Sequence, residues 1–179
     1  AEAAFKVFLQ TSARRYGYEA TAHVQVFESA ADMDTALESG KVVLFILDSW
    51  DYFSLRAPQL LEPQFALMEQ GVVEERYLLL TRRECGPKAL TALRGQSVAL
   101  LENANANLAR FWLETLLAEN RLGPADTFCR KVESVQKASA AVLPVFFGQK
   151  PACVVDESAF RIMAELNPQV GRQLHIIAH

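Results

Sequence analysis

Residues 137–155 read KASAAVLPVFFGQKPACVV, and the fold follows from how this stretch changes its period. Ala138, Ala141, Val142, Val145 and Phe146 recur at the i, i+3, i+4 spacing of one helical stripe. Pro144 lies inside that stripe and is expected to kink or shorten the helix. Past Gly148 the pattern turns into the short apolar run 151–155, which has the length of a strand. A strand that is apolar throughout must be covered on both faces, as in a parallel α/β sheet.

The same alternation extends in both directions. Upstream, residues 97–101 (SVALL) and 127–132 read as strands, with a helix over 107–119 that turns Leu108, Phe111, Trp112 and Thr115 inward. Downstream, a helix over 158–174 is broken at Asn167-Pro168, and 175–178 form a last strand. This βαβαβαβ order demands a mainly parallel sheet with right-handed crossovers.

Before it, residues 1–16 form an amphipathic helix ended by Gly17, and 31–38 a short helix stopped by Gly40. Residues 23–27 (HVQVF), 41–47 (KVVLFIL) and 76–81 (RYLLLT) read as strands, and 58–70 as a helix. The charged segment 82–88 contains Gly86-Pro87 and reads as a connector. The expected organisation is therefore α/β and two-lobed, with mainly parallel sheets flanked by helices. The first lobe is 1–82 and the second 83–179. A helix opens the chain and a strand closes it, so both termini read as truncated and the first lobe as incomplete.

The bulk properties exclude several classes. A formal charge of −3 provides no basic stripe for nucleic acid. The longest apolar runs have strand length, too short to span a bilayer, and no leader peptide is visible. Cys85, Cys129 and Cys153 have no CxxC or metal-ligand spacing and read as three unpaired thiols, with one disulfide plus a free thiol as the alternative. Catalytic motifs are missing: there is no GxSxG, P-loop, HExxH or GxGxxG. Asp48 after an apolar strand is similar to the phospho-accepting aspartate of receiver domains, but that chemistry needs an acidic pair after an earlier strand. The expectation is a binding module, not an enzyme, with neither cofactor nor metal.

In open parallel sheets ligands bind beyond the carboxyl ends of the strands. That rule selects the loops 48–53, 102–107, 133–139 and 156–158. Trp50 and Tyr52 offer aromatic faces with polar tips. Asn103, Asn105 and Asn107 supply amide donors and acceptors, and Ser139 lies in the first turn of a helix, where free N–H groups favour an anion. Helix capping alone would also account for Asn105, Asn107 and Ser139. Glu157, with Asp48, Glu102, Glu133 and Asp156, places carboxylates at strand ends, where they attract an amine, so the sign of the ligand stays open.

Several segments carry a family resemblance. Residues 93–98 (LRGQSV) are similar to an L-(K/R)-G-K-x-V entry into a second lobe, and 147–156 (FGQKPACVVD) to a G-(K/x)-x-D-A-x-V-x segment. Residues 165–169 (ELNPQ), residues 3–8, and Gly40-Lys41-Val42 with Asp51-Tyr52 add to the likeness. Together they resemble the phosphate/phosphite/phosphonate substrate-binding proteins of ABC transporters, which have the type-2 periplasmic binding protein fold.

The resemblance implies an extracytoplasmic protein, periplasmic and with any membrane anchor outside this sequence. It would capture a small polar or phosph(on)ate-like ligand between two lobes for a permease. The family grips its oxyanion with a Ser/Thr-rich loop at a helix N-terminus. Here that loop is 102–107 (ENANAN), without a hydroxyl, and Ala138-Ser139 stands where many members have Ser-His. The departures favour a zwitterion or amine-bearing oxyanion over inorganic phosphate. Two alternatives share the architecture. One is the ligand-sensing domain of a membrane receptor such as a histidine kinase. The other is the effector-binding domain of a LysR-type regulator, which needs an upstream helix-turn-helix of which residues 1–16 show no trace.

Overall fold

The computed structural model describes residues 2–27, 29–66, 68, 71, 73–103 and 108–179. The chain divides into two units, Ala1–Gln64 and Phe65–His179.

In the first unit, helix α1 spans Glu2–Arg15, with Glu2 in its first turn and Arg14 and Arg15 in its last, signs that suit the helix dipole. Helix α2, Ala30–Glu38, is N-capped by Ser29, and α3, Ser49–Ser54, by Asp48, whose carboxylate accepts the Asp51 N–H at 2.7 Å. The polar cluster expected as a loop is therefore the start of a helix. A buried carboxylate ties the two helices together. Asp34 accepts the Arg56 backbone N–H at 2.9 Å and its Nε at 3.0 Å, and Glu38 adds a contact to the same guanidinium at 3.3 Å.

Three expectations for this unit do not hold. Residues 23–27 and 41–47 form no ladder among the described residues, and Val26, Val43, Leu44 and Ile46 are exposed. A strand needs a partner as well as a pattern. The helix expected over 58–70 is a single 3-10 turn, Pro58–Leu60, among the residues described there.

The second unit is one sheet. Its strands are β1 (Tyr77–Arg82), β2 (Ser97–Leu101), β3 (Lys131–Val135), β4 (Ala152–Asp156) and β5 (Leu174–Ala178), in the order β3-β2-β4-β1-β5. β2 pairs parallel with β3 and β4, whereas β1 pairs antiparallel with β4 and β5. Strands β2 to β5 thus all run one way, as the βαβ alternation requires, and β1 alone is reversed. β4 is buried along its whole length, and β1 and β2 nearly so, so both faces of the central sheet are covered.

The expected division at residues 82–88 is overturned by this sheet. β1 and β2 belong to the same layer, and the charged Gly-Pro segment is a tight turn between them. Gly86 donates its N–H to the Arg82 carbonyl at 2.8 Å, and Thr81 Oγ1 bonds the Pro87 carbonyl at 2.8 Å. A Cβ on Gly86 would lie 2.6 Å from the Arg82 backbone, which explains the glycine. The two compact units divide upstream, after Gln64.

The covering helices are α4 (Ala109–Glu119), α5 (Ala125–Phe128), α6 (Ala138–Phe146), α7 (Glu157–Leu166) and α8 (Pro168–Gln173). Helix α6 packs across β1 to β4 and buries Ala141, Val142 and Val145, the expected stripe, with Pro144 accommodated inside it. On α4 the buried residues are Ala109, Leu113 and Leu117, one position away from the expected stripe; Phe111 is exposed and Trp112 half-buried. The strand expected over 127–132 begins later, because Phe128 and Cys129 are buried by α5 and its cap. Cys129 and Cys153 are buried free thiols and Cys85 an exposed one. Burial pushes the Cys153 thiol up to about 12.

A pH test follows from Asp34. The Arg56 backbone N–H, then its side chain, hold this carboxyl below the usual carboxylate range against the opposing effect of burial. A depressed folded pKa contributes stability that is present above the unfolded pKa and lost as pH falls through the folded value. Far-UV circular dichroism under acid titration should show the first unit loosening below the usual carboxylate range. Asp34→Asn should already be loosened at neutral pH and lose that acid-dependent step. An unchanged acid profile in the variant would remove Asp34 as the cause.

Candidate ligand site at the carboxyl edge of the sheet

Strands β2, β3 and β4 end on one edge, and the reversal of β1 brings its first residue, Tyr77, to the same edge, opposite Asp156. Tyr77 is 3% exposed, its ring packs on Trp112 at 6.2 Å, and its hydroxyl accepts the Leu108 N–H at 3.2 Å. Burial, then the Glu75 carboxylate, pushes its hydroxyl well above the ordinary tyrosine range, so Tyr77 stays neutral. The tyrosine therefore anchors the entry to α4.

The loops after β2 and β3 are clipped together. Glu102 donates its backbone N–H to the Val135 carbonyl at 3.0 Å and accepts the Ser134 hydroxyl on its carboxylate. Asn103 Nδ2 donates to the Gln136 carbonyl at 3.1 Å. Asn105 and Asn107 lie outside the described residues.

The two helix starts that follow β3 and β4 differ. At α7 the Asp156 carboxylate accepts the Ala159 N–H and the Ser158 hydroxyl, both at 2.7 Å, so that N-terminus holds a carboxylate of its own. Glu157, the first residue of α7, is exposed and donates its N–H to the Arg76 carbonyl at 2.7 Å. Helix α6 begins after Lys137 with no side-chain cap, and Ser139 is exposed in its first turn. The Ala140 and Ala141 amides bond the Lys137 carbonyl at 2.9 and 3.3 Å, so among the described residues the Ala138 and Ser139 amides are the ones left to an outside acceptor.

Asn103, Ser139 and Glu157 accordingly share the carboxyl edge. Trp50 and Tyr52 belong to the first unit, on α3, where Tyr52 is half-buried against Phe53 at 5.4 Å and Trp50 is 40% exposed. Sequence reasoning missed Tyr77 and Gln136. Tyr77 is the polar residue that opens an apolar strand, but a parallel β1 would have placed it at the opposite edge. Among the described residues no group of His, Cys, Asp and Glu is arranged to hold a metal, and no helix is long and apolar enough to cross a membrane.

The α/β sheet thus gathers polar loops and helix starts on its carboxyl edge, the edge at which open α/β sheets bind ligands. The chain matches over residues 2–179 the family described as the phosphonate periplasmic substrate-binding protein of ABC transporters, and it belongs to that family. No curated protein matches it. Among solved structures it is similar to XAC2383 from Xanthomonas citri bound to ATP, with a TM-score of 0.68, 16% identity, and coverage of 97% of this chain and 66% of that one. The chloride-bound form of XAC2383 gives a TM-score of 0.66, 16% identity, and coverage of 97% and 65%. A binding protein component of an ABC phosphonate transporter from Pseudomonas aeruginosa gives 0.51, 13% identity, and coverage of 96% and 57%. This chain therefore spans less than two thirds of the length of each of these structures.

Removing the Tyr77 hydroxyl tests the anchoring role. Tyr77→Phe keeps the ring but leaves the Leu108 amide without its acceptor, which should cost about 1–3 kcal/mol of stability. Urea denaturation measures it, and a variant as stable as the parent would mean that solvent already satisfies that amide.

Proposed function

We propose that this chain is the solute-capturing component of an ABC transporter, working outside the cytoplasm and binding its ligand without transforming it. The observation that carries the proposal is the family match across residues 2–179. The carboxyl edge suits the role, since it presents donors and acceptors at the ends of the sheet strands. The partner is then the transporter permease, and the function needs neither cofactor nor nucleic acid.

The ligand class follows from the charges that line this edge. The Ala138 and Ser139 amides at the start of α6 and the Ser139 hydroxyl suit an oxyanion, whereas Glu102 and Glu157 suit an ammonium group. An amine-bearing oxyanion satisfies both and keeps the carboxylates from repelling a bare anion. Asn103, with Asn105 and Asn107, would orient the polar body of the solute.

A thermal-shift series is the direct test. A ligand that binds only the folded state stabilises it by RT ln(1 + [L]/Kd), about 2.7 kcal/mol at a hundredfold excess over Kd. Small aminophosphonates and amino acids should raise the melting temperature more than inorganic phosphate does. Calorimetry on Glu157→Gln should then show weaker binding of the aminophosphonate and unchanged binding of inorganic phosphate, because the variant removes the charge that meets the ammonium group. Stabilisation by phosphate alone would defeat the zwitterion assignment. If no small solute stabilised the protein, a module that senses another protein would replace this account.

A further inference from the structure

Arg82, the last residue of β1, and Pro151, just before β4, lie at the end of the sheet opposite Tyr77 and Asp156, so the full length of β4 separates them from the ligand edge. A notch of about 210 Å³ opens there, walled by Arg82, Cys85, Gly86, Gly148 and Lys150. Arg82 is half-buried, and its guanidinium makes no hydrogen bond or ion pair among the described residues.

Arg82 is not needed to cap α6, whose C-terminus ends nearby, because the loop itself fills that role. The Leu143 carbonyl accepts the Phe147 N–H at 2.9 Å, and the Val145 carbonyl the Gly148 N–H at 3.0 Å. The Pro144 carbonyl takes the Gln149 and Lys150 amides at 2.7 and 3.0 Å. Lys150 pairs with Glu133, and Glu133 also meets Lys131, so the positive charge not already paired in the notch rests on Arg82. Gly148, at φ +71°, keeps the space open, because a Cβ there would come within 3.0 Å of Arg82 Nη1.

We propose that this notch is a second ligand site, taking the oxyanion of a small free solute, a carboxylate, phosphate or sulfate group, on the Arg82 guanidinium. The planar fork of arginine matches two oxygens of such a group. The half-buried setting strengthens the attraction relative to bulk water. The volume admits one oxyanion with a few further atoms, so the site suits a small solute rather than a polymer.

Cys85 supplies the readout, because it lines the notch and is exposed while Cys129 and Cys153 are buried. Its thiolate attacks a disulfide reagent, the reagent's S–S bond breaks, and one aryl thiolate leaves as the mixed disulfide forms. The reagents are the dianionic 5,5′-dithiobis(2-nitrobenzoate) and the neutral 4,4′-dithiodipyridine, used on the whole chain. Arg82→Gln should slow the dianionic reagent roughly three- to tenfold and the neutral one by less than about twofold. On the parent protein, sulfate should protect Cys85 better than sodium chloride at equal ionic strength, and Arg82→Gln should abolish that difference. Equal slowing of both reagents, or sulfate no better than chloride on the parent, would overturn the proposal. The salt comparison on the parent decides the matter even if the variant folds poorly.

Discussion

The reversed strand β1 is the constraint on which the rest of the second unit depends. It lies between β4 and β5 and pairs with both, so its backbone donors and acceptors find partners on either side while Leu78, Leu79 and Leu80 are buried. Without β1 the two strands joined by α7 and α8 would have no common neighbour. Its direction also decides which residue appears at which end. Tyr77 reaches the edge where the parallel strands finish, and Arg82 the edge where β4 starts. One strand thus supplies a neutral hydrogen-bonding anchor to one edge and a cation to the other.

The carboxyl edge is stiffened mainly by bonds between loops. The Glu102 and Asn103 contacts to β3 and its loop, and the Tyr77 hydroxyl on the Leu108 amide, hold the approach to α4 from two sides. Asp156 closes the start of α7 on itself. That occupied helix start contrasts with the start of α6, which has no side-chain cap.

Much of the second unit was legible in the sequence because its patterns are local and strong. The span of β2 matches its apolar run, and the stripe of α6 was readable because one apolar face alternates with small residues. The phase of α4 was not, since Leu108, Phe111, Trp112, Leu113, Leu116 and Leu117 cover more than one face and periodicity cannot choose between them. β3 is a sheet edge with Lys131 and Glu133 on it, and so carries little hydrophobic signal. The placement of Tyr77 depended on strand direction, which is a tertiary fact. The strands expected in the first unit failed for a related reason, because pairing is decided by what lies opposite.

Apolar burial is shared very unevenly between the two units. The contiguous core, from Tyr77 to Leu174, lies entirely in the second, whereas Met33 and Leu55 are the buried apolar side chains described in the first. The heat capacity of unfolding tracks the apolar surface newly exposed to water. A calorimetric endotherm of this chain would therefore be dominated by the second unit, with the first contributing a shallow slope at lower temperature. A single transition temperature would describe the second unit well and the first hardly at all.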